Sequence, residues 1–214
     1  MKKFVVFCLG LFFITSFNTK AQDKKAEAIL DAMSKKYKAT LSYNANFSYG
    51  VENASNKVTK FLTGVVTVKG NKFKLKTAGQ EIFNNGKEMF TFVKETNEVN
   101  ITDPADSDED FSPTKIYNIY KKGYKYQFKE EKNEAGQIYE TVELTPSTAK
   151  SNVSKIQITV NKLDKSIKNW KVWDKAGKKT LFKIDKFVPN VAAADAVFIF
   201  DKKNYPGVEV VDLR

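Results

Sequence analysis

The sequence predicts a mainly β (α+β) protein: an antiparallel meander closing towards a barrel, with an amphipathic helix laid on it. Three observations carry this. A helical apolar period near the start gives way at Leu41 to a period of two. Turn signals then recur at short, roughly even intervals towards the end of the chain. No strand–helix–strand alternation occurs, which disfavours a doubly wound parallel sheet.

Residues 1–21 read as an export leader. Lys2 and Lys3 precede an apolar run from Phe4 to Phe17, and Thr19-Lys20-Ala21 places small residues for a cut before Gln22. The run spans about 14 residues, too short to cross a bilayer comfortably. Cleavage would leave one domain, residues 22–214, with net charge +8 in place of +11 and without the only cysteine, Cys8. The exported fold must then rest on its own core, which about 190 residues can supply.

Asp23 is the expected N-cap of a helix from about Lys24 to Lys38, because Ala26, Ile29, Leu30, Met33 and Tyr37 form one apolar stripe. From Leu41, residues Tyr43, Ala45, Phe47, Tyr49 and Val51 alternate with polar ones, the pattern of a half-buried strand. A two-residue turn at Gly70-Asn71 sets Val68 opposite Phe73, Val66 opposite Leu75 and Gly64 opposite Thr77 on a greasy face. The other face pairs Lys69 with Lys72 and Thr67 with Lys74. Asn85-Gly86 marks a turn between strands Gln80–Asn84 and Lys87–Lys94.

Further turns stand at Thr96-Asn97, Glu134-Ala135-Gly136, Asn161–Asp164 and Lys175-Ala176-Gly177. They separate strands Tyr124–Phe128, Ile138–Leu144, Ile156–Val160, Ile167–Val172 and Leu181–Phe187. Ser112-Pro113 is set to start a short helix through Ile116, Ile119 and Tyr120, stopped by Gly123. A third helical turn is expected near Ala192–Ala194.

Composition removes several chemistries. Histidine is absent, so His-based triads and the usual zinc sites are excluded, and no phosphate-cradling glycine motif occurs. The acidic loop Asp103–Asp110 places Asp106, Asp108 and Asp110 as in a calcium loop. Phe111 stands where the sharp turn needs Gly, and Tyr117 where a bidentate Glu belongs, so it is not an EF-hand. Glu81, Glu88 and Asp185 are strand-borne acids with nothing to pair them at a catalytic separation. Lysines alternating with apolar residues fit a solubilising coat, or an attraction to anionic surfaces, better than nucleic-acid binding by an exported chain.

Beyond the leader the chain keeps 12 Phe, nine Tyr and two Trp, many on one face of successive strands. Taken alone, they fit either a packed core beneath the helices or a sheet too curved for the helices to fill, leaving a greasy pocket.

A leader, an amphipathic first helix and a Leu41–Gly50 strand with Ala45 and Phe47 come first in order. Gly64-x-x-x-Val68-Lys69, Phe73-x-Leu75 and Asn85-Gly86-Lys87 follow, and the end is Phe198-x-Phe200…Pro206-Gly207-Val208-x-Val210-Val211-Asp212. In this the chain resembles the LolA outer-membrane lipoprotein carriers over nearly all of residues 22–214. The resemblance implies a strongly curved antiparallel sheet, an incomplete β-barrel with a helical lid over an apolar cavity, and no enzymatic activity, cofactor or metal. It implies a periplasmic monomer that takes acylated lipoproteins or lipid from an inner-membrane releasing complex to an outer-membrane receptor or the membrane itself.

On that basis the acyl-chain pocket is expected at Phe47, Tyr49, Val66, Val68, Phe73, Leu75, Met89 and Phe92, with Phe90 set on the face opposite Phe92. Leu30, Met33, Ile116 and Ile119 are expected to form the lid. Ordinary core packing would use the same residues. In well-studied members an arginine in the turn after Val-Lys latches the lid; here Gly70 follows, and Lys69 or Lys72 is the candidate substitute, as a point charge rather than a planar fork. A lipid- or glycolipid-binding module, or an envelope-stress sensor of lipoproteins, is the alternative with the same fold.

Overall fold

Asp23 caps helix α1 (Lys24–Ala39): one carboxylate oxygen accepts from the backbone N–H groups of Lys25 (2.9 Å) and Ala26 (3.1 Å). Its other oxygen accepts from the N–H of Phe128 (2.8 Å), so the cap also ties the helix to the sheet. The computed structural model describes residues 23–104, 112–121, 123–149 and 151–214. The expected leader and the cluster Asp106, Asp108 and Asp110 lie outside the described residues. Ala26, Ile29, Leu30, Met33 and Tyr37 are all buried, as their spacing requires.

The described strands are β1 (Ser42–Val51), β2 (Leu62–Lys69), β3 (Lys72–Thr77), β4 (Gln80–Asn84), β5 (Met89–Val93) and β6 (Glu98–Thr102) in the first half. The second half holds β7 (Tyr124–Glu134), β8 (Gln137–Pro146), β9 (Val153–Asn161), β10 (Ile167–Asp174), β11 (Lys179–Pro189) and β12 (Glu209–Asp212). They form one sheet in the order β12-β6-β5-β4-β3-β2-β1-β11-β10-β9-β8-β7. Strands β7 and β12 end it without pairing to each other, so the sheet is curved but unclosed. Strand β1 joins two meanders, pairing with β2 on one side and β11 on the other. Helix α1 packs on β7, β8 and a 3-10 helix (Ile116–Lys121), covering the concave face.

The β2–β3 register is the expected one, pair for pair from Gly64↔Thr77 to Lys69↔Lys72. Gly70 takes φ +59° while Asn71 keeps a negative φ, which matches a two-residue turn with glycine first. The Asn85 turn is longer than expected. Its side-chain Oδ1 accepts from the N–H groups of Lys87 and Glu88 (both 2.9 Å), which draws these residues into the turn and starts β5 at Met89. Strand β7 continues six residues past Phe128, since its hairpin with β8 runs beyond the core and both faces carry charge there. The expected helix after Ser112 is a 3-10 helix instead. The Ser112 carbonyl accepts from the N–H groups of Lys115 (2.9 Å) and Ile116 (3.0 Å). The helical turn expected near Ala192–Ala194 lies at Asp195–Phe198 instead, and another follows at Lys202–Asn204.

Two features depart from a simple meander. Strand β12 runs parallel to β6, Val210 opposite Val99, and carries the preceding chain across the convex face of β3–β6. There Phe92, Val99 and Val208 form a second apolar cluster, joined by Phe90, Phe200 and Tyr205. Phe90 and Phe92 are two residues apart and therefore share this face, with Phe90 on Phe200 and Phe92 on Tyr205. The expectation that they point apart is corrected. Secondly, register shifts leave Asp185 unpaired opposite Asn46/Phe47 and Lys168 unpaired between Ile167 and Asn169. Such bulges bend a strand and raise its twist, which is how the sheet curls over its own apolar face.

At Gly64 that curl leaves no room. A Cβ there would lie 2.4 Å from Cζ of Phe47 and 2.9 Å from the carbonyl oxygen of Lys76. We expect Gly64→Ala to cost about 1–3 kcal/mol by urea denaturation, and the added Phe47→Leu to recover part of that loss. Full stability in the single variant would refute this close packing.

Candidate functional site

Between the concave face and its helical cover lies a void of about 100 Å³. One wall is Tyr43, Ala45 and Phe47 of β1 with Val66 of β2 and Leu75 of β3. The other is Ile167 and Trp170 of β10 with Phe182, Ile184 and Phe187 of β11, and Tyr37, Pro113 and Ile116 close the top. Among the described residues no charged side chain lines it. The Tyr37 hydroxyl accepts from the N–H of Ile167 (3.1 Å), and the Tyr43 hydroxyl donates to the carbonyl of Pro113 (2.9 Å). Burial pushes the Tyr37 phenol up to about 12 and that of Tyr43 higher still, so both stay neutral at physiological pH. Such a site can shield apolar chains from water.

Of the pocket residues expected from sequence, Phe47, Val66 and Leu75 line the void, as does Ile116 of the expected lid. Tyr49 stacks on Phe182 (5.9 Å) beside Phe47, behind the wall. Val68 is buried in the same core without reaching the void. Phe73 and Met89 line a separate void of about 130 Å³, with Asn71, Asn84 and Ser112, by the Gly70 turn. Phe92 is a correction: it faces the convex cluster, because the C-terminal segment covers that side of β5. Leu30, Met33 and Ile119 are buried among the cover helices and the sheet.

Tyr37, Tyr43, Ala45, Pro113, Ile167, Trp170, Phe182, Ile184 and Phe187 also line the void and were missed. Period-two alternation picks out Phe182 and Ile184, but the extra Asp185 flips the phase before Phe187, and the extra Lys168 does the same between Ile167 and Trp170.

Among the described residues, Asp23 and Tyr37 bond α1 to the sheet and Lys36 pairs with Asp164. Ser34 Oγ donates to Asn118 Oδ1 (2.6 Å), the Tyr120 hydroxyl donates to Asp31, and Tyr37 stacks on Tyr117 (5.4 Å). These join α1 to the 3-10 helix, while Tyr43 links the 3-10 segment to β1. Lys69 and Lys72 do not latch this cover, contrary to expectation. Both grip Asp195 on the convex side, at 2.8 and 2.9 Å, and Lys69 also donates to the Ala193 carbonyl (3.0 Å).

The strand-borne acids stay apart. Glu81 pairs with Lys76 (2.8 Å), Glu88 with Arg214, and Asp185 accepts from Ser48 Oγ (3.1 Å). Among the described residues no group of three or more Asp or Glu converges to hold a metal ion, and no helix is long and apolar enough to cross a membrane.

Fold and site together define a β protein with an internal, uncharged cavity under a helical cover. The family model for outer membrane lipoprotein carrier protein LolA matches residues 38–201, and the chain belongs to that family. An uncharacterized conserved protein from Thermus thermophilus shares the fold at TM-score 0.61 and 13% identity, over 88% of this chain and 99% of its own. A LolA superfamily protein from Nitrosomonas europaea matches at TM-score 0.45 and 13% identity, over 82% of this chain and 98% of its own. LprF from Mycobacterium bovis matches at 0.49 and 13%, over 81% and 98%. No curated protein matches the sequence.

The side-chain bonds from Lys69 and Lys72 hold the Asp195 carboxyl down to about 2. Its contribution is therefore present above the ordinary carboxylate range and lost as pH falls from about 4 towards about 2. The protection of the Ala196–Phe198 amides, as exchange relative to the intrinsic rate at each pH, is expected to fall across that window, and Asp195→Asn to show the low protection already at neutral pH. A flat profile in the parent protein would overturn the pairing.

Proposed function

We propose that this protein is a periplasmic, non-enzymatic carrier that shelters the acyl chains of lipoproteins between the inner and outer membranes. Residues 1–21 direct export and are removed, and residues 22–214 work as one monomeric domain. A releasing complex in the inner membrane supplies the cargo, and an outer-membrane receptor or the membrane itself receives it. The observation that carries this reading is an uncharged aromatic cavity beneath a helical cover, in a chain of the lipoprotein-carrier family.

The physical need is plain. Each methylene exposed to water costs about 0.8 kcal/mol, so a multiply acylated protein cannot cross an aqueous space unaided. The void of about 100 Å³ is smaller than ordinary ligand pockets, which run from about 300 Å³ upwards. Loading therefore requires the cover to move off the sheet. The Tyr43–Pro113 hydrogen bond, and the bonds of Tyr37 to Ile167 and of Asp23 to Phe128 where α1 moves as well, are what that motion breaks.

Native mass spectrometry of the protein purified from its own envelope is the direct test. A retained acylated lipoprotein supports the carrier, whereas free lipid alone points to a lipid-binding module. Ala45→Leu, which fills the void without adding charge, should weaken binding of a fluorescent acyl probe at least about tenfold while the fold is kept. Tyr43→Phe should speed uptake of the same probe at a stability loss of about 1 kcal/mol. Unchanged uptake would remove Tyr43 from cover control.

A further inference from the structure

Trp170 lines the cavity and is 9% exposed, stacked flat on its cross-strand partner Phe182 with ring centres 4.9 Å apart and planes within 4°. Its indole N–H is sealed from solvent and meets no hydrogen-bond acceptor among the described residues. A buried indole usually finds a partner, and a buried donor without one carries a desolvation penalty that calls for an explanation. The polar groups that line the cavity do not provide one: the Tyr37 hydroxyl bonds to Ile167 and that of Tyr43 to Pro113, and neither meets the indole N–H. Nor is Trp170 there by the simple alternation of β10. The bulge at Lys168 is what turns it to the same side as Ile167.

The missing acceptor has a definable chemistry. It must be neutral, because bringing a carboxylate or phosphate into this apolar void would cost far more than one hydrogen bond returns. It must also be attached to an apolar body that fits between Phe47, Leu75 and Phe182. A carbonyl oxygen next to a hydrocarbon chain meets both demands. We infer that the Trp170 indole N–H is a specificity contact for the ester or amide carbonyl that joins an acyl chain to its carrier. The cavity then distinguishes acyl chains from plain alkyl chains. This rests on the carrier reading of the same cavity and names the part of the cargo that it recognises.

The test compares a diacylglycerol with its dialkyl ether analogue of equal chain length, each displacing a fluorescent hydrocarbon probe. The parent protein should prefer the ester by about two- to tenfold, the worth of one neutral hydrogen bond. Trp170→Phe should bring the ratio to about one by weakening the ester alone. Because the variant could fold poorly, the parent protein is also followed by the ¹H–¹⁵N signal of the Trp170 indole, which should shift with the ester and stay with the ether. Equal affinities and equal shifts in the parent protein would overturn the inference and leave the carrier standing. Failure of both ligands to displace the probe would overturn the inference and the carrier reading alike.

Discussion

A sheet that bends over its own apolar face, yet never closes, sets the problem that the rest of this molecule answers. Strands β7 and β12 remain unpaired to each other, so the concave side cannot be sealed by strands alone. Nor can disulfides fix the geometry, since the chain has one cysteine. The seal must come from helices packed on the open face. Helix α1 and the 3-10 helix supply it with Leu30, Met33, Ile116 and Ile119, and Asp23 serves at once as helix cap and as the pin to β7. The leftover space beneath them is the cavity.

The two faces of the sheet are held by different physics. The concave side relies on aromatic contacts, on neutral hydrogen bonds worth about 1 kcal/mol each, and on a few bonds to the carboxylates of Asp23, Asp31 and Asp164. The convex side is held by Lys69 and Lys72 on Asp195, by Lys76 on Glu81 and by the aromatic cluster around Phe200 and Tyr205. Exposed ion pairs contribute little each, but here they sit over an apolar strap that crosses several strands. A back strapped apart from the pinned front suits a protein whose cover must move while its sheet stays intact. Gly70 follows Val68-Lys69, and Lys69 and Lys72 are committed to the strap.

Much of this was legible in order along the chain. The stripe from Ala26 to Tyr37 gave α1 and its buried face, and the Gly70-Asn71 turn fixed β2 against β3 residue by residue, because a two-residue loop leaves no freedom of register. The same alternation marked Phe47, Val66 and Leu75. It misled at Phe92, since β5 is covered on both sides and an apolar residue there says nothing about which side it faces.

What the sequence by itself determined is local: helix, hairpins, turn positions, and the parity of strands with one polar face. Tertiary structure alone decided which distant strands meet, such as β1 with β11 and β12 alongside β6, because those pairings depend on chain closure over more than a hundred residues rather than on neighbouring side chains. It also decided the bulges at Lys168 and Asp185. An unpaired residue there reverses the inward set without any mark in the composition, and that reversal is what brings Trp170 and Phe187 to the cavity wall.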